Sequence, residues 1–154
     1  MLGLFKKKPI RIASPIQGRC FDLTDVEDQV FSQKMVGEGF AVVPSIGEVI
    51  APFDGEVILV FHTHHALGLK SKDGIELLIH VGLDTVELNG EGFEAVVKVG
   101  DQVKKGDLLL KFDLKGLIAK NIIMTSPVVI TQPKKVIKVS LYKDANEQGL
   151  EVYL

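Results

Sequence analysis

The chain has 154 residues, of which 46% are hydrophobic and 25% are charged, and its net charge is −2. This mixture is typical of a globular protein with one core, and the absence of a basic stripe argues against a nucleic-acid role. No apolar stretch approaches the ~20 residues that a membrane-spanning helix requires. A lone cysteine, Cys20, cannot form an internal disulfide and therefore indicates a reducing compartment such as the cytoplasm.

Turn-forming residues divide the chain into short segments. Clusters of Gly, Asp, Asn and Pro, which favour tight turns, lie at residues 52–55, 71–74, 89–92 and 105–107. The apolar runs between turns predict strands at residues 39–44, 55–61, 75–80, 107–112, 127–131 and 136–142. Such spacing is typical of an all-β protein, and we predict an antiparallel β-sandwich or barrel with short helical turns.

Three further features concern the organisation of the chain. Residues 114–121 predict one or two helical turns, and residues 1–9 predict a flexible segment ahead of a single domain over residues 10–154. Residues 14–20 resemble residues 51–57, since both have a small residue, Pro, two variable positions and Gly before a strand. The repeat indicates either pseudo-symmetric β-structure or a recurring way to begin a hairpin strand.

All four histidines fall between residues 62 and 80, and this clustering is the strongest chemical signal in the sequence. In the run that ends at His80, side chains alternate between faces, so Ile75, Leu77 and Ile79 point to the core and His80 to the less buried side. Gly82 follows two residues later, and its carbonyl is expected to accept a hydrogen bond from the N–H of one imidazole nitrogen. The other nitrogen would then be an unprotonated nucleophile at neutral pH.

These residues alone leave three interpretations open. A neutral imidazole can accept a phosphoryl group, with a second imidazole or a hydroxyl such as His65 or Thr63 stabilising the transferred charge. If the strand continues through residues 62–65, Thr63 and His65 have the same parity and can share a face, with His62 and His64 on the opposite face. The cluster from His62 to His80 is also compatible with a zinc site, since histidines at i, i+2 on a strand can share a metal. A histidine at a strand end can, finally, be merely structural.

The segment Gly74–Val86 resembles the signature of the glucose-type enzyme IIA family of the bacterial sugar phosphotransferase system. In that signature, a glycine and an apolar run lead to a phosphorylated histidine, followed by apolar-Gly-apolar-x-Thr. The resemblance extends from about Ile10 to the C-terminus. It implies a compact antiparallel β-sandwich or barrel with a shallow surface site, and a phosphotransferase component that forms a phosphohistidine.

The resemblance also implies a role for each site residue. His80 would receive the phosphoryl group on Nε2 from the histidine-containing phosphocarrier protein and pass it to a cysteine on the IIB domain of a glucose-type permease. His65 would support onward transfer, and Thr63 would orient the histidine pair. The protein would work in the cytoplasm, transiently at the inner face of the plasma membrane, and phosphorylation would be read by regulated transporters or kinases.

A partner-docking face with acidic and apolar residues is implied as well. Its acidic members are Asp28 and Asp84, which would meet basic groups of the donor. Its apolar members are Val30, Phe31, Met35, Val36, Phe61, Leu78 and Val86.

Further expectations concern residues outside the pattern and the need for a metal. His62 and His64 are additional histidines for which it supplies no function, and Gln29 interrupts the apolar rim. No cofactor is expected to be required. In some relatives the paired histidines bind zinc together with a partner's carboxylate, which here would involve His65 and His80, but two ligands do not complete a zinc site.

Overall fold

The computed structural model describes residues 8–131, 136 and 138–154. Within these residues the chain forms thirteen strands, two short α-helices and two 3₁₀ turns. The strands are β1 Ile10–Ala13, β2 Gly18–Asp22, β3 Glu38–Pro44, β4 Glu48–Ile50, β5 Gly55–Val60, β6 Ala66–Ser71, β7 Glu76–His80, β8 Phe93–Ala95, β9 Gln102–Val103, β10 Leu108–Phe112, β11 Ser126–Ile130, β12 Lys138–Lys143 and β13 Gln148–Tyr153. The helices are α1 Gln29–Ser32 and α2 Leu114–Ala119, and the 3₁₀ turns are Leu23–Asp25 and Thr85–Leu88.

The strands form three antiparallel sheets. One has seven strands in the order β2-β3-β11-β7-β6-β5-β9, and the others have the orders β1-β13-β12 and β4-β10-β8. One core contains buried side chains from all three sheets, such as Leu77, Leu110 and Val152. The prediction of an antiparallel all-β fold is confirmed. Within the described residues the large sheet remains open between β2 and β9, so the sandwich and not the barrel is the appropriate description.

The predicted elements match the structure closely. Five of the predicted strands correspond to β3, β5, β7, β10 and β11, with bounds that differ by a single residue, and the predicted helical turn corresponds to α2. The sixth predicted strand corresponds to β12, although residue 137 lies outside the described residues. Residues 1–7 lie outside them too, so the flexible segment and the domain bounds stay predictions. In the described part of the chain, no helix has the length and apolar character needed to cross a bilayer.

The internal repeat has a packing explanation. A Cβ atom on Gly18 would lie 2.0 Å from the Val43 carbonyl oxygen, and one on Gly55 would lie 2.2 Å from the Lys70 carbonyl oxygen. Each glycine therefore begins a strand at a point where the neighbouring backbone leaves no room for a side chain. The repeat is a shared way of starting an antiparallel pair, which favours the second of the two interpretations.

Strand β7 carries His80 to the edge of the core. It pairs with β6 on one side and β11 on the other, and Ala66 lies directly opposite His80. Leu77 and Ile79 are buried while Leu78 and His80 are half-buried, which confirms the predicted alternation. A central strand held on both sides gives the imidazole a fixed point of attachment.

We predict that Gly55→Ala lowers the free energy of unfolding by about 3 kcal/mol, because the new methyl group would push β5 away from β6. Gly74→Ala is the matched control. A Cβ at Gly74 meets no atom within 4 Å, so its cost is the left-handed φ of 85° alone, about 1–2 kcal/mol. Urea unfolding of both variants tests this, and an equal loss in the two would contradict the packing explanation.

Candidate active site

His65 lies at the end of a four-residue hairpin turn between β5 and β6. The Phe61 N–H donates to the Ala66 carbonyl at 3.0 Å, and the His64 N–H donates to the Phe61 carbonyl at 2.7 Å. The expectation that residues 62–65 continue a strand is wrong, because the chain reverses here and His64 has a left-handed φ of 58°. The turn nevertheless brings Thr63 and His65 together, as predicted. His64 has a structural role in this turn, because its left-handed conformation lets the chain reverse.

The His65 ring is buried, with 2% of its surface exposed. Its Nδ1 atom lies 2.6 Å from the Thr63 hydroxyl oxygen, and its ring meets the Phe61 ring edge-on. Burial lowers the pKa of His65 to about 4, with smaller contributions from the charges of His80 and His62. His65 is therefore neutral at pH 7.

The tautomer of His80 is set by its backbone neighbour. Its Nδ1 atom lies 2.8 Å from the Gly82 carbonyl oxygen, and a carbonyl can only accept a hydrogen bond. Nδ1 therefore carries the proton, and Nε2 is left with a lone pair. Burial lowers the pKa of His80, while the bond to Gly82 and the charges of Asp28 and Asp84 act in the opposite direction. The predicted bond between His80 and Gly82 is confirmed.

Three rings meet at this point. The ring centroids of His65 and His80 are 4.9 Å apart at an interplanar angle of 79°, and Phe31 packs against His80 at 5.2 Å. An aromatic wall on one side and a second imidazole on the other limit the orientations that His80 can take. The arrangement presents a neutral nucleophilic nitrogen beside a potential hydrogen-bond donor.

Two carboxylates lie near His80, as their effect on its pKa indicates. Asp28 is the N-cap of α1, and its Oδ1 accepts a hydrogen bond from the Val30 N–H at 2.9 Å. Asp84 is exposed, has a left-handed φ of 58° and does not cap the 3₁₀ turn Thr85–Leu88 with its side chain. The site therefore combines two neutral imidazoles with an acidic border.

The predicted apolar docking residues fall into three groups. Val30, Met35 and Val86 are exposed, Met35 to 69%. Val36, Phe61 and Leu78 are half-buried. Phe31 is 7% exposed and packs in a small core cluster with Leu23, Leu83 and others, so its membership of the docking face stays a prediction. Phe31 acts on the site through its contact with His80.

The zinc interpretation gains no support from the geometry. Among the described residues, no group of three or more His, Cys, Asp or Glu side chains is placed to hold a metal ion. The expectation of a zinc site built from the cluster between His62 and His80 is therefore not met. The exposed His62 and the turn residue His64 do not join His65 and His80 in one ligand set.

Two buried hydroxyl groups near His80 received no role in the sequence analysis. Ser126 accepts a hydrogen bond from the Gly82 N–H, and Thr85 donates one to the Val81 carbonyl. Thr85 lies within the signature segment Gly74–Val86, so the sequence did contain a pointer to this residue. Ser126 lies 44 residues from Gly82 along the chain, and only the pairing of β11 with β7 brings it close.

A separate cleft of about 640 Å³ is lined by residues such as Ser14, Gln17, Ser45 and Gln148. Its lining includes Pro52, which precedes β5, whereas the histidine turn follows β5. Lys105, which also lines the cleft, is paired with Glu147 at 2.7 Å. The histidines of the site are not among the described residues that line this cleft.

Comparisons with known proteins identify relatives over most of the chain. The family whose model matches residues 10–136 is EIIA 1 of the phosphoenolpyruvate-dependent sugar phosphotransferase system. The glucose-specific EIIA component of Staphylococcus epidermidis is 51% identical over 126 residues, which cover 80% of this chain and 75% of that protein. The glucosamine-specific EIICBA component of Bacillus subtilis is 56% identical over 117 residues, covering 76% of this chain but 18% of that longer protein. The glucose permease IIA structure from Mycoplasma capricolum is 36% identical, has a TM-score of 0.81 and matches 94% of this chain and 96% of its own.

The sandwich fold and these matches show that the chain is a phosphotransferase component, of the class that works through a phosphohistidine intermediate. Within that class, the chain belongs to the EIIA 1 family of the phosphoenolpyruvate-dependent sugar phosphotransferase system. It is thus a phosphocarrier of that system.

The low pKa of His65 predicts a pH-dependent stability. Unfolded His65 takes up a proton near pH 6.5, whereas the folded residue does so near pH 4. Between these values the unfolded state binds more protons, so this stabilisation is complete above pH 6.5 and is lost as the pH falls towards 4. His65→Gln should reduce the slope of unfolding free energy against pH in this window by up to about 1.4 kcal/mol per pH unit.

Urea unfolding between pH 4 and pH 7.5 measures this slope. His64→Asn is the control, because Asn tolerates the left-handed conformation of that position. A slope in His65→Gln equal to that of the wild type would show that His65 is not the group responsible.

Proposed function

We propose that this protein accepts a phosphoryl group on Nε2 of His80 and transfers it to a sugar permease. The observation that carries the proposal is the bond between Nδ1–H of His80 and the Gly82 carbonyl, which leaves Nε2 unprotonated. The depressed pKa of His80 keeps the ring neutral at cytoplasmic pH. A neutral imidazole held in one tautomer is the nucleophile that phosphoryl transfer requires.

The first half-reaction is a displacement at phosphorus. The lone pair on Nε2 of His80 forms the new N–P bond while the bond between phosphorus and the donor's nitrogen breaks. The donor imidazole leaves with that electron pair, and Nδ1 of His80 stays protonated throughout, with its N–H donating to the Gly82 carbonyl. Because the resulting N–P bond is labile, the same group can be passed on with its transfer potential largely retained.

His65 and Thr63 serve the second half-reaction. The Thr63 hydroxyl oxygen lies 2.6 Å from Nδ1 of His65, and in this proposal the hydroxyl donates to that nitrogen, so that the imidazole proton is on Nε2. That N–H is then available to the phosphoryl oxygens, on which negative charge concentrates as the group leaves His80. Since His65 is neutral, it supplies a directed hydrogen bond rather than a fixed positive charge.

The partners follow from the surface around His80. The donor in this proposal is the histidine-containing phosphocarrier protein, whose basic groups would meet Asp28 and Asp84. The acceptor is a cysteine of the IIB domain of a glucose-type permease, reached from the cytoplasm at the inner face of the plasma membrane. Support comes from the exposed apolar residues Val30, Met35 and Val86, which provide one platform for both encounters. The named specificities of the relatives, glucose and glucosamine, support a sugar of this type.

The same face supports two subsidiary proposals. Phosphorylation would add nearly two negative charges beside Asp28 and Asp84, and regulated transporters or kinases could distinguish the two states by this charge. Transfer requires no metal in this scheme. His65 and His80 supply two imidazole ligands, so zinc would bind only where a partner's carboxylate completes the site.

Phosphorylation of His80→Gln tests the proposal directly. The wild type, incubated with phosphoenolpyruvate, the general phosphotransferase enzyme and the phosphocarrier protein, should acquire acid-labile phosphate. His80→Gln should acquire none, because glutamine has no nucleophilic nitrogen. Radiolabel on the intact protein is the measurement, and His64→Asn, which changes a neighbouring histidine, should label normally. Label that persists in His80→Gln would refute the assignment.

The roles of the two histidines are separated by His65→Gln. This variant should still be phosphorylated on His80, since the donor brings its own positive groups to the first half-reaction. Onward transfer should fall by about 100-fold or more, the effect expected when a hydrogen bond to developing charge is lost.

Quenched-flow measurement of each half-reaction, with the purified IIB domain as acceptor, gives both rates. His62→Gln, an exposed neighbour in the same turn, should leave both rates unchanged. Equal impairment of the two half-reactions in His65→Gln would contradict the role given to His65.

A further inference from the structure

Gly82 takes part in two peptide groups, and each N–H and each carbonyl of these two groups makes a hydrogen bond. In the peptide between Gly82 and Leu83, the carbonyl accepts from His80 at 2.8 Å and the N–H donates to the Ile123 carbonyl at 2.9 Å. In the preceding peptide, the Gly82 N–H donates to the Ser126 hydroxyl at 3.0 Å. The carbonyl of that same peptide, on Val81, accepts from the Thr85 hydroxyl at 2.6 Å.

The donor and the acceptor can be assigned in the hydrogen bonds of the Ser126 and Thr85 hydroxyl groups. Ser126 has one hydroxyl proton, which it donates to the Met124 carbonyl at 2.8 Å, so its oxygen accepts from Gly82. Thr85 can only donate to a carbonyl oxygen. Both side chains are completely buried, with 0% exposure, so water cannot replace either bond without opening the core.

The space around Gly82 is closed as well. The residue has a left-handed φ of 74°, and a Cβ atom there would lie 2.6 Å from the Thr85 methyl group and 3.3 Å from the Met124 sulfur. The methyl group of Thr85 therefore fills the side of Gly82 that a side chain would occupy. The peptide that accepts from His80 has little freedom to rotate.

We propose that Ser126 and Thr85 are positioning residues for phosphoryl transfer, which fix the Gly82 carbonyl on Nδ1 of His80. The inference rests on the proposed function of His80 and extends it to residues that do not touch the reacting atoms. If the carbonyl moves, the proton of His80 is no longer confined to Nδ1. Nε2 then spends part of its time protonated, and in that state it cannot attack phosphorus.

Two variants remove one hydroxyl group each. Ser126→Ala leaves the Gly82 N–H without its acceptor, and Thr85→Val keeps the shape of the side chain while removing the donor to Val81. Each should increase the fraction of His80 with a protonated Nε2, as measured by ¹⁵N NMR of the full-length, histidine-labelled protein. Each should slow phosphorylation of His80 by the donor on the order of tenfold, the loss expected for one hydrogen bond to a positioned group.

Conservative variants keep the test valid where a hydroxyl deletion prevents folding. Thr85→Ser retains the hydroxyl but loses the methyl group beside Gly82, so its tautomer ratio and its rate should lie between those of the wild type and Thr85→Val. Ser126→Cys retains a weaker acceptor and should give an intermediate tautomer ratio and an intermediate rate. A graded loss through this series supports the inference, and wild-type values in Ser126→Cys count against it.

Ser71→Ala is the matched control for a purely structural effect. Ser71 is also buried and its hydroxyl also accepts a backbone N–H, that of Ile75 at 3.0 Å, but it precedes β7 instead of following it. This variant should lose thermal stability without a change in the His80 tautomer or the phosphorylation rate. A rate reduced as much as in Ser126→Ala would show that destabilisation alone explains the effect.

The inference and the proposed function fail in different ways. Normal labelling of His80 together with an unchanged tautomer and rate in folded Ser126→Ala and Thr85→Val would overturn the inference alone. A wild-type protein that is labelled at a residue other than His80 would overturn the proposed function as well.

Discussion

The hydrogen bond between Nδ1 of His80 and the carbonyl of Gly82, 2.8 Å long, determines what the site can do. It assigns the imidazole proton to one nitrogen and leaves the other as a lone pair, without help from a charged group. The fold serves this bond in two ways. The central strand β7 fixes the attachment of His80, and the hydroxyl groups of Ser126 and Thr85 fix the peptide whose carbonyl accepts its hydrogen bond.

Burial and the nearby carboxylates shift the pKa of His80 in opposite directions. Desolvation lowers the pKa of both histidines, whereas Asp28 and Asp84 act to raise that of His80. The same carboxylates would repel a phosphoryl group on Nε2, which disfavours a phosphorylated state that is too stable to pass its group on. A carrier must both accept and release its cargo, so an acidic border around a neutral nucleophile suits a reaction that runs through to the next protein.

The sequence was informative wherever the determining contacts are local. Alternation along residues 75–80 and the position of Gly82 were sufficient to predict the orientation of His80 and its hydrogen bond. The turn at residues 62–65 was mistaken for a strand because its closure depends on the pairing of Phe61 with Ala66. The burial of Phe31 and the role of Ser126 depend on contacts with segments distant in the chain, such as those around Leu83 and Gly82, which one sequence does not reveal.

In the proposed reaction the phosphoryl group is carried by Nε2 of His80 and by no other histidine nitrogen. Two-dimensional ³¹P–¹⁵N NMR of the phosphorylated, histidine-labelled protein tests this most directly. The expected result is a phosphorus coupling to Nε2 of His80, with Nδ1 of the same ring still protonated through its bond to Gly82. A coupling to Nδ1 of His80, or to any nitrogen of His62, His64 or His65, would contradict the account.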